Sequence, residues 1–356
     1  MNKLQTLFQK LEDGLFAVHD GIVSLSGDRL GYLCILNGII GDMLEERKSR
    51  LAIPMAFYPK GPRSAGVEGE RLALTKSSLE KIGLPDDGKI CVLAHGSCTS
   101  EKDWGLRDNP SKDYGSLLQA DLGFFPIYLR YNSGLHISTN GKRFSDLLEK
   151  LVRCDPTKVK EIILLGHSMG GLIFRSACYY GKKEKKTWVR RVKKIFYVGS
   201  PHWGTHFEKF GKLTTTILQH IPTLPTKALA AFIELRSAGI KDLRHGYLTH
   251  EDWQRRGADD LLYVHQNKTP LLKTADHYLI CGTISKSLDS RIGRLFGDGM
   301  VHPGSGIGRG LLPSSQIPFL PDHSKIFPGI PHYNLMKSMK VYRQIREWCG
   351  YWSVRY

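Results

Sequence analysis

Apolar positions at Leu4, Leu7, Leu11, Leu15, Val18 and Ile22 recur every three or four residues. That spacing predicts an amphipathic helix over 1–24, with Gly14 and Gly21 inside it and Gly27-Asp28 closing it. A second helix is predicted over 30–47. Residues 51–58 read as a strand, which Pro54 restricts to a sheet edge. A third helix over 76–82 stops at Gly83, with Pro85 just beyond. These first 85 residues form an N-terminal extension expected to pack on a core, and they carry no evident chemistry.

From Lys89 the pattern changes. Ile90-Cys91-Val92-Leu93-Ala94 is a short continuous apolar run that ends at His95-Gly96. Similar runs follow at 125–131, 162–165, 194–198 and 278–281. Between and after them, helical periodicity spans 140–153, 169–180 and 333–348. Unbroken apolar runs of four to six that alternate with helices predict a mostly parallel central sheet flanked by helices. Residues 205–274 interrupt the alternation. They carry Pro222, Pro225 and a helical stretch at 226–235, and read as an inserted helical cap.

A length of 356 residues suits about two domains or one large α/β domain with insertions. A hydrophobic fraction of 41% excludes a wholly disordered chain. No apolar run reaches the ~18–20 residues that span a bilayer. The longest candidate, 30–44, is interrupted by Asn37 and Asp42. The early residues Lys3, Gln5, Gln9, Lys10, Glu12 and Asp13 do not form a secretory signal. Seven scattered cysteines with no CxxC spacing read as reduced, buried thiols. The expected compartment is the cytoplasm.

The net charge of +17 is concentrated in 182–194, which holds eight basic residues and one acidic residue. The preferred reading is a solvated helix end and loop before a strand. A cation stripe for nucleic acid is discounted, because it would rest on charge alone. Weak attraction to an anionic membrane surface is compatible with the charge.

The chemistry centres on Gly166-His167-Ser168-Met169-Gly170, a G-x-S-x-G sequence. A buried strand precedes it and a helix follows, the setting in which this motif presents a serine at the carboxyl edge of a sheet. The small glycines let the chain close around the serine. The helix amino end places partial positive charge where an oxyanion would develop.

This strand-Gly-His-Ser-Met-Gly-Gly-helix, with His95-Gly96 before it and Val198-Gly199-Ser200-Pro201-His202-Trp203-Gly204-Thr205 after it, resembles the α/β-hydrolase superfamily and its lipase/esterase branch. In finer detail it resembles the GPI-inositol-deacylase-like and other bacterial lipase-like hydrolases. The resemblance covers about 88–350. It implies an α/β-hydrolase fold in 86–356, with the cap at about 205–274 and the extension at 1–85.

The resemblance further implies a Ser–Asp–His order for the catalytic groups. His332, in Pro331-His332-Tyr333-Asn334-Leu335-Met336, matches the lipase pattern before the final helix, ahead of His323. Asp298, in Gly297-Asp298-Gly299-Met300-Val301, matches the acid turn, with Asp289 as runner-up. The oxyanion donors would be the N–H groups of Met169 and Ser97, with Cys98 the neighbouring candidate. His95 belongs to the oxyanion region and reads as structural. His202 and His206 lack a clear third ligand, so neither a metal nor another cofactor is expected.

The expected activity is hydrolysis of a small-molecule or lipid carboxylic ester. An acyltransferase with the same triad and a catalytically silent binding protein are the alternatives. Amide and GPI-type lipid substrates stay open, as does the oligomeric state.

Overall fold

The computed structural model describes residues 29–59, 70–205, 237–254, 267, 269–287, 297–308 and 316–350. The helices expected over 1–24 and 226–235 lie outside these residues.

Among the described residues seven strands form one sheet: β1 (Ala56–Tyr58), β2 (Lys89–Ala94), β3 (Phe125–Arg130), β4 (Glu161–His167), β5 (Val192–Val198), β6 (Asp276–Thr283) and β7 (Ser324–Pro328). Their order is β1-β3-β2-β4-β5-β6-β7. Of these seven, β1 alone runs antiparallel, against β3, and the other pairings among them are parallel. The α-helices of the described residues are α1 (Arg29–Glu46), α2 (Lys76–Lys81), α3 (Tyr114–Leu122), α4 (Ile137–Cys154), α5 (Met169–Lys183), α6 (Ala238–His245), α7 (His250–Gln254), α8 (Pro303–Gly306) and α9 (Met339–Gly350).

The apolar strands are buried on both faces, as parallel sheets require. Alternate residues feed two cores. Ile90, Val92, Ile162, Leu164 and Ile195 pack with Phe144, Leu148, Leu172 and Phe174 of α4 and α5. Cys91, Leu93, Ile163, Leu165 and Phe196 pack with Leu118 of α3 and Val341, Ile345 and Trp348 of α9. The period of two along each strand therefore sends one set of side chains to each helical layer.

Several boundaries differ from the sequence expectation. The strand read at 51–58 keeps only Ala56–Tyr58, at the sheet edge and clear of Pro54. Helix α4 begins at Ile137, not 140, because the buried Asp242 carboxylate accepts the Ile137 N–H at 2.8 Å. The closing helix expected at 333–348 is divided. A 3-10 segment, His332–Lys337, ends at Ser338 (φ −101, ψ 123), and α9 starts after it. The Tyr114 hydroxyl bridges the break, 2.6 Å from Leu335 O and 2.7 Å from Ser338 O.

The basic segment is a helix end, a 3-10 turn and the start of β5. Lys183 pairs with Glu251, and Lys186 with Asp146 and Glu184, at its solvated side. Lys194 is the exception: it is buried, with its Nζ 3.7 Å from the Asp276 carboxylate. All seven cysteines are unpaired, and six are buried. No helix among the described residues is long and apolar enough to cross a membrane.

Within the insertion between β5 and β6, α6 and α7 pack on the core. Ser237 Oγ donates to Gly38 O, and the Ala238 N–H donates to Asp42, both in α1. Helix α1 in turn lies against the loops that leave β2 and β3. Those loops stand at the carboxyl edge of the sheet, where open α/β folds bind their ligands.

Candidate active site

Ser168 sits between β4 and α5 with φ 52 and ψ −119. Non-glycine residues rarely occupy that region, and the surrounding packing has to hold one there. Here the chain reverses so tightly that a Cβ on Gly170 would lie 2.6 Å from Ala94 O and 2.7 Å from His95 O. A Cβ on Gly166 would overlap the backbone of Gly171. Both flanking positions of the motif therefore demand glycine for space. The Ser168 N–H donates to Val198 O at 2.8 Å, which fixes the turn to the end of β5.

The loop after β6 brings Asp298 to His332. The Asp298 carboxylate and His332 Nδ1 are 2.7 Å apart, and both side chains are buried. The other carboxylate oxygen accepts the N–H groups of Met300 and Val301 at 3.0 and 2.8 Å. The His332 N–H donates to Asp298 O at 2.9 Å, so backbone and side chain hold the pair together twice. On its other side the His332 ring passes over Gly199 (φ 65), where a Cβ would stand 3.1 Å from Nδ1. Since Gly199 follows Val198, which holds Ser168, the serine turn and the histidine meet at one strand end. Among the described residues no hydrogen bond joins Ser168 Oγ to His332.

His167 is a participant that sequence reasoning missed. Its Nε2 lies 3.2 Å from His332 O, and the two rings are 4.9 Å apart. Burial, with the neighbouring His332 as a smaller cause, holds its imidazole well below the ordinary histidine range. The neutral ring can donate from Nε2 to the carbonyl and so steady the His332 turn. Its place inside the G-x-S-x-G sequence was the available signal.

The remaining candidates separate cleanly. His95 is buried, stacked on Tyr131 at 4.2 Å, with Nδ1 2.8 Å from Gly96 O; it is a packing residue. His323 stacks on Tyr278 at the start of β7, on the far side of the sheet from α5. Asp289 and His206 lie outside the described residues. No group of three metal-binding side chains occurs among the described residues. Burial pushes the Cys98 thiol up to about 11, which leaves it protonated and a poor nucleophile near neutral pH.

The two N–H candidates in the 97–98 loop differ. The Cys98 N–H donates to Ser133 Oγ at 3.1 Å and is occupied. The Ser97 N–H has no acceptor among the described residues. Met169 is the first residue of α5, where a helix leaves its N–H groups unpaired.

Three buried histidines bear on acid stability. Burial lowers the imidazoles of His95, His167 and His202, the last also lying beside the Arg175 guanidinium. Such a group is neutral when folded and takes up a proton on unfolding once the pH drops below ~6.5. Its stabilisation is full above that value and is lost as the pH falls, by up to ~1.4 kcal/mol per pH unit and per histidine. The buried carboxyls of Asp113 and Asp242, held above their ordinary range by burial, act in the opposite sense. A His202→Asn variant isolates one histidine, since the amide oxygen can still accept from Arg175. Urea unfolding at pH 7 and 5.5 is expected to give a pH slope flatter than wild type by roughly 0.6 proton averaged over that interval. An unaltered slope would contradict a neutral, buried His202.

The parallel sheet with one antiparallel edge strand, and the serine on a strained strand-to-helix turn, define an α/β-hydrolase fold. The chain belongs to the PGAP1-like alpha/beta domain family, whose model matches residues 87–278, more than half of its length. No curated protein matches it. Among solved structures it is similar to a Bacillus licheniformis lipase in mature form, at 16% identity over 74% of this chain and 94% of the other, with a TM-score of 0.45. The naproxen esterase of Bacillus subtilis aligns at 14% identity over 75% and 85%, with a TM-score of 0.42. Lipase 1 of Pelosinus fermentans aligns at 14% over 75% and 100%, with a TM-score of 0.46.

Proposed function

We propose that the chain is a serine hydrolase that cleaves carboxylic esters through an acyl-enzyme. The observation that carries this reading is the buried 2.7 Å Asp298–His332 pair standing beside a serine in a strained strand-to-helix turn. A serine hydroxyl is a weak nucleophile at neutral pH and needs a base held in one tautomer. Asp298 accepts from Nδ1 of His332, which leaves Nε2 unprotonated. Substrate binding closes the Ser168–His332 hydrogen bond, as such bonds often tighten only in the substrate complex. Nε2 then removes the Ser168 proton while Oγ attacks the ester carbonyl.

The oxyanion is received by the N–H groups of Ser97 and Met169. His332 returns the proton to the departing alkoxide as the carbon–oxygen bond breaks. Water repeats the sequence on the acyl-enzyme and releases the acid. Asp298 stays ionised and stabilises the imidazolium at both stages. The reading needs no metal.

The test is hydrolysis of p-nitrophenyl acyl esters from acetyl to palmitoyl, with Ser168→Ala alongside. Turnover that the variant loses supports the reading, and the preferred chain length defines the acyl pocket. Failure of a fluorophosphonate to label Ser168, with no ester cleaved, would overturn it. Product analysis with added alcohol separates hydrolysis from acyl transfer.

A further inference from the structure

The helix α1 lies upstream of the matched family segment, yet it touches the loop that carries a proposed oxyanion donor. We infer that α1 is part of the catalytic apparatus and that Gly38 is a positioning residue, seating the Ser97–Cys98 loop against Ser168. The inference rests on the serine-hydrolase reading.

Four observations support it. A Cβ on Gly38 would overlap the Cys98 sulfur and come within 3.1 Å of Cys98 Cα and N, so helix and loop meet backbone to backbone. Cys98 has φ 59, a left-handed conformation that a side chain adopts only where its surroundings impose it. The Ser133 hydroxyl pins the Cys98 N–H from the other side, at 3.1 Å. This contact turns the Cys98 N–H toward Ser133 and leaves the Ser97 N–H as the loop's donor. Gly96, one residue earlier, is so near the nucleophile that its Cβ would stand 3.2 Å from Ser168 Cβ. A shift of the loop by a methyl group's radius is therefore felt at the reacting atoms.

The helix is fixed in place from both of its other sides. It is interrupted at Ile40 (φ −133, ψ 21). The carbonyls of Gly38 and Gly41, on either side of the break, accept from Ser237 Oγ at 2.7 Å and Asn132 Nδ2 at 2.8 Å. The Asn37 side chain ties the same stretch to the 51–53 segment, with Nδ2 2.8 Å from Leu51 O and Oδ1 accepting the Ile53 N–H at 2.9 Å. A helix held at this many points cannot retreat to accommodate a methyl group. The loop must yield instead.

The experiment compares Gly38→Ala, Gly181→Ala and the double variant Gly38→Ala/Cys98→Gly with wild type. A Cβ on Gly181 would overlap the Trp188 ring at the far end of α5 from Ser168, so that variant disturbs the core without touching α1 or the 97–98 loop. Gly38→Ala is expected to lower kcat about 10²-fold, the scale of a lost oxyanion donor, with little change in KM. Gly181→Ala should lower the thermal midpoint while keeping most of its kcat. Glycine at 98 removes the sulfur and suits φ 59, and the contacts left at 3.1 Å need only a few tenths of an ångström. The double variant should therefore recover at least tenfold of the lost kcat. Equal kcat losses in Gly38→Ala and Gly181→Ala, a full kcat in Gly38→Ala, or a double variant that stays inactive or unfolded each overturns the inference. A wild-type protein inert to esters and fluorophosphonate overturns the serine-hydrolase reading itself, and the inference with it.

Discussion

Ser168→Gly is expected to abolish ester turnover and, in the same protein, to raise the thermal midpoint. The two effects share a cause. At φ 52 and ψ −119 a Cβ crowds the neighbouring carbonyls, a conformation that costs roughly 1–3 kcal/mol. Glycine adopts it freely, at a cost of about 0.5–1 kcal/mol in unfolded-state entropy. The balance favours the variant by about 1 kcal/mol, or roughly 2 °C in a chain of this size. Turnover is expected to fall by about 10⁵-fold or more, since no other hydroxyl can take the place of the nucleophile. Ser168→Ala should lose turnover equally but keep the strain, and so show no gain in midpoint. Scanning calorimetry and ester hydrolysis on the three proteins check this. Matching midpoints for the glycine and alanine variants would remove the strain argument, and retained turnover would remove Ser168 from the mechanism.

The sequence was most informative where local pattern and burial coincide. Strands β2, β4 and β5 read directly as apolar runs, because a sheet covered on both faces admits few polar side chains. The G-x-S-x-G turn was legible because its glycines answer a backbone requirement, space against Ala94 O and His95 O, that no other residue meets. Strand β7 escaped notice because it is an edge strand bounded by prolines, with Phe327 its one buried residue. The break at Ser338 was invisible for a different reason. The helical periodicity runs through it, and the group that stabilises it, Tyr114, comes from more than two hundred residues away.

The same distinction runs through the candidate site. Asp298 and His332 could be matched to short local patterns, yet their 2.7 Å approach depends on a loop and a turn separated by a strand. The choice between Ser97 and Cys98 as the proposed oxyanion donor had no local solution. It depends on Ser133, in the loop after β3, and on Gly38, in a helix whose sequence displays no chemistry. Residues that act by holding a backbone in place leave no composition signal of their own.

Asp298→Asn is expected to leave the fold intact and to lower kcat about 10⁴-fold. The amide oxygen can still accept the Met300 and Val301 N–H groups, so the loop after β6 keeps its shape. The amide nitrogen then faces His332 Nδ1, where a carboxylate oxygen stood. A donor at that point makes Nδ1 the acceptor and drives the proton to Nε2. The imidazole is then held in the tautomer that cannot receive the Ser168 proton, and no charge remains to stabilise the imidazolium. Asp298→Ala should cost stability as well, since it strips both N–H groups of their acceptor. The pair of variants therefore separates catalysis from folding: a near-native melting curve for asparagine and a depressed one for alanine, with turnover lost in both. An asparagine variant with near wild-type kcat would mean that Asp298 only shapes the loop and that His332 takes its orientation from elsewhere. The remaining backbone tie, the His332 N–H on Asp298 O, would then be the group to examine.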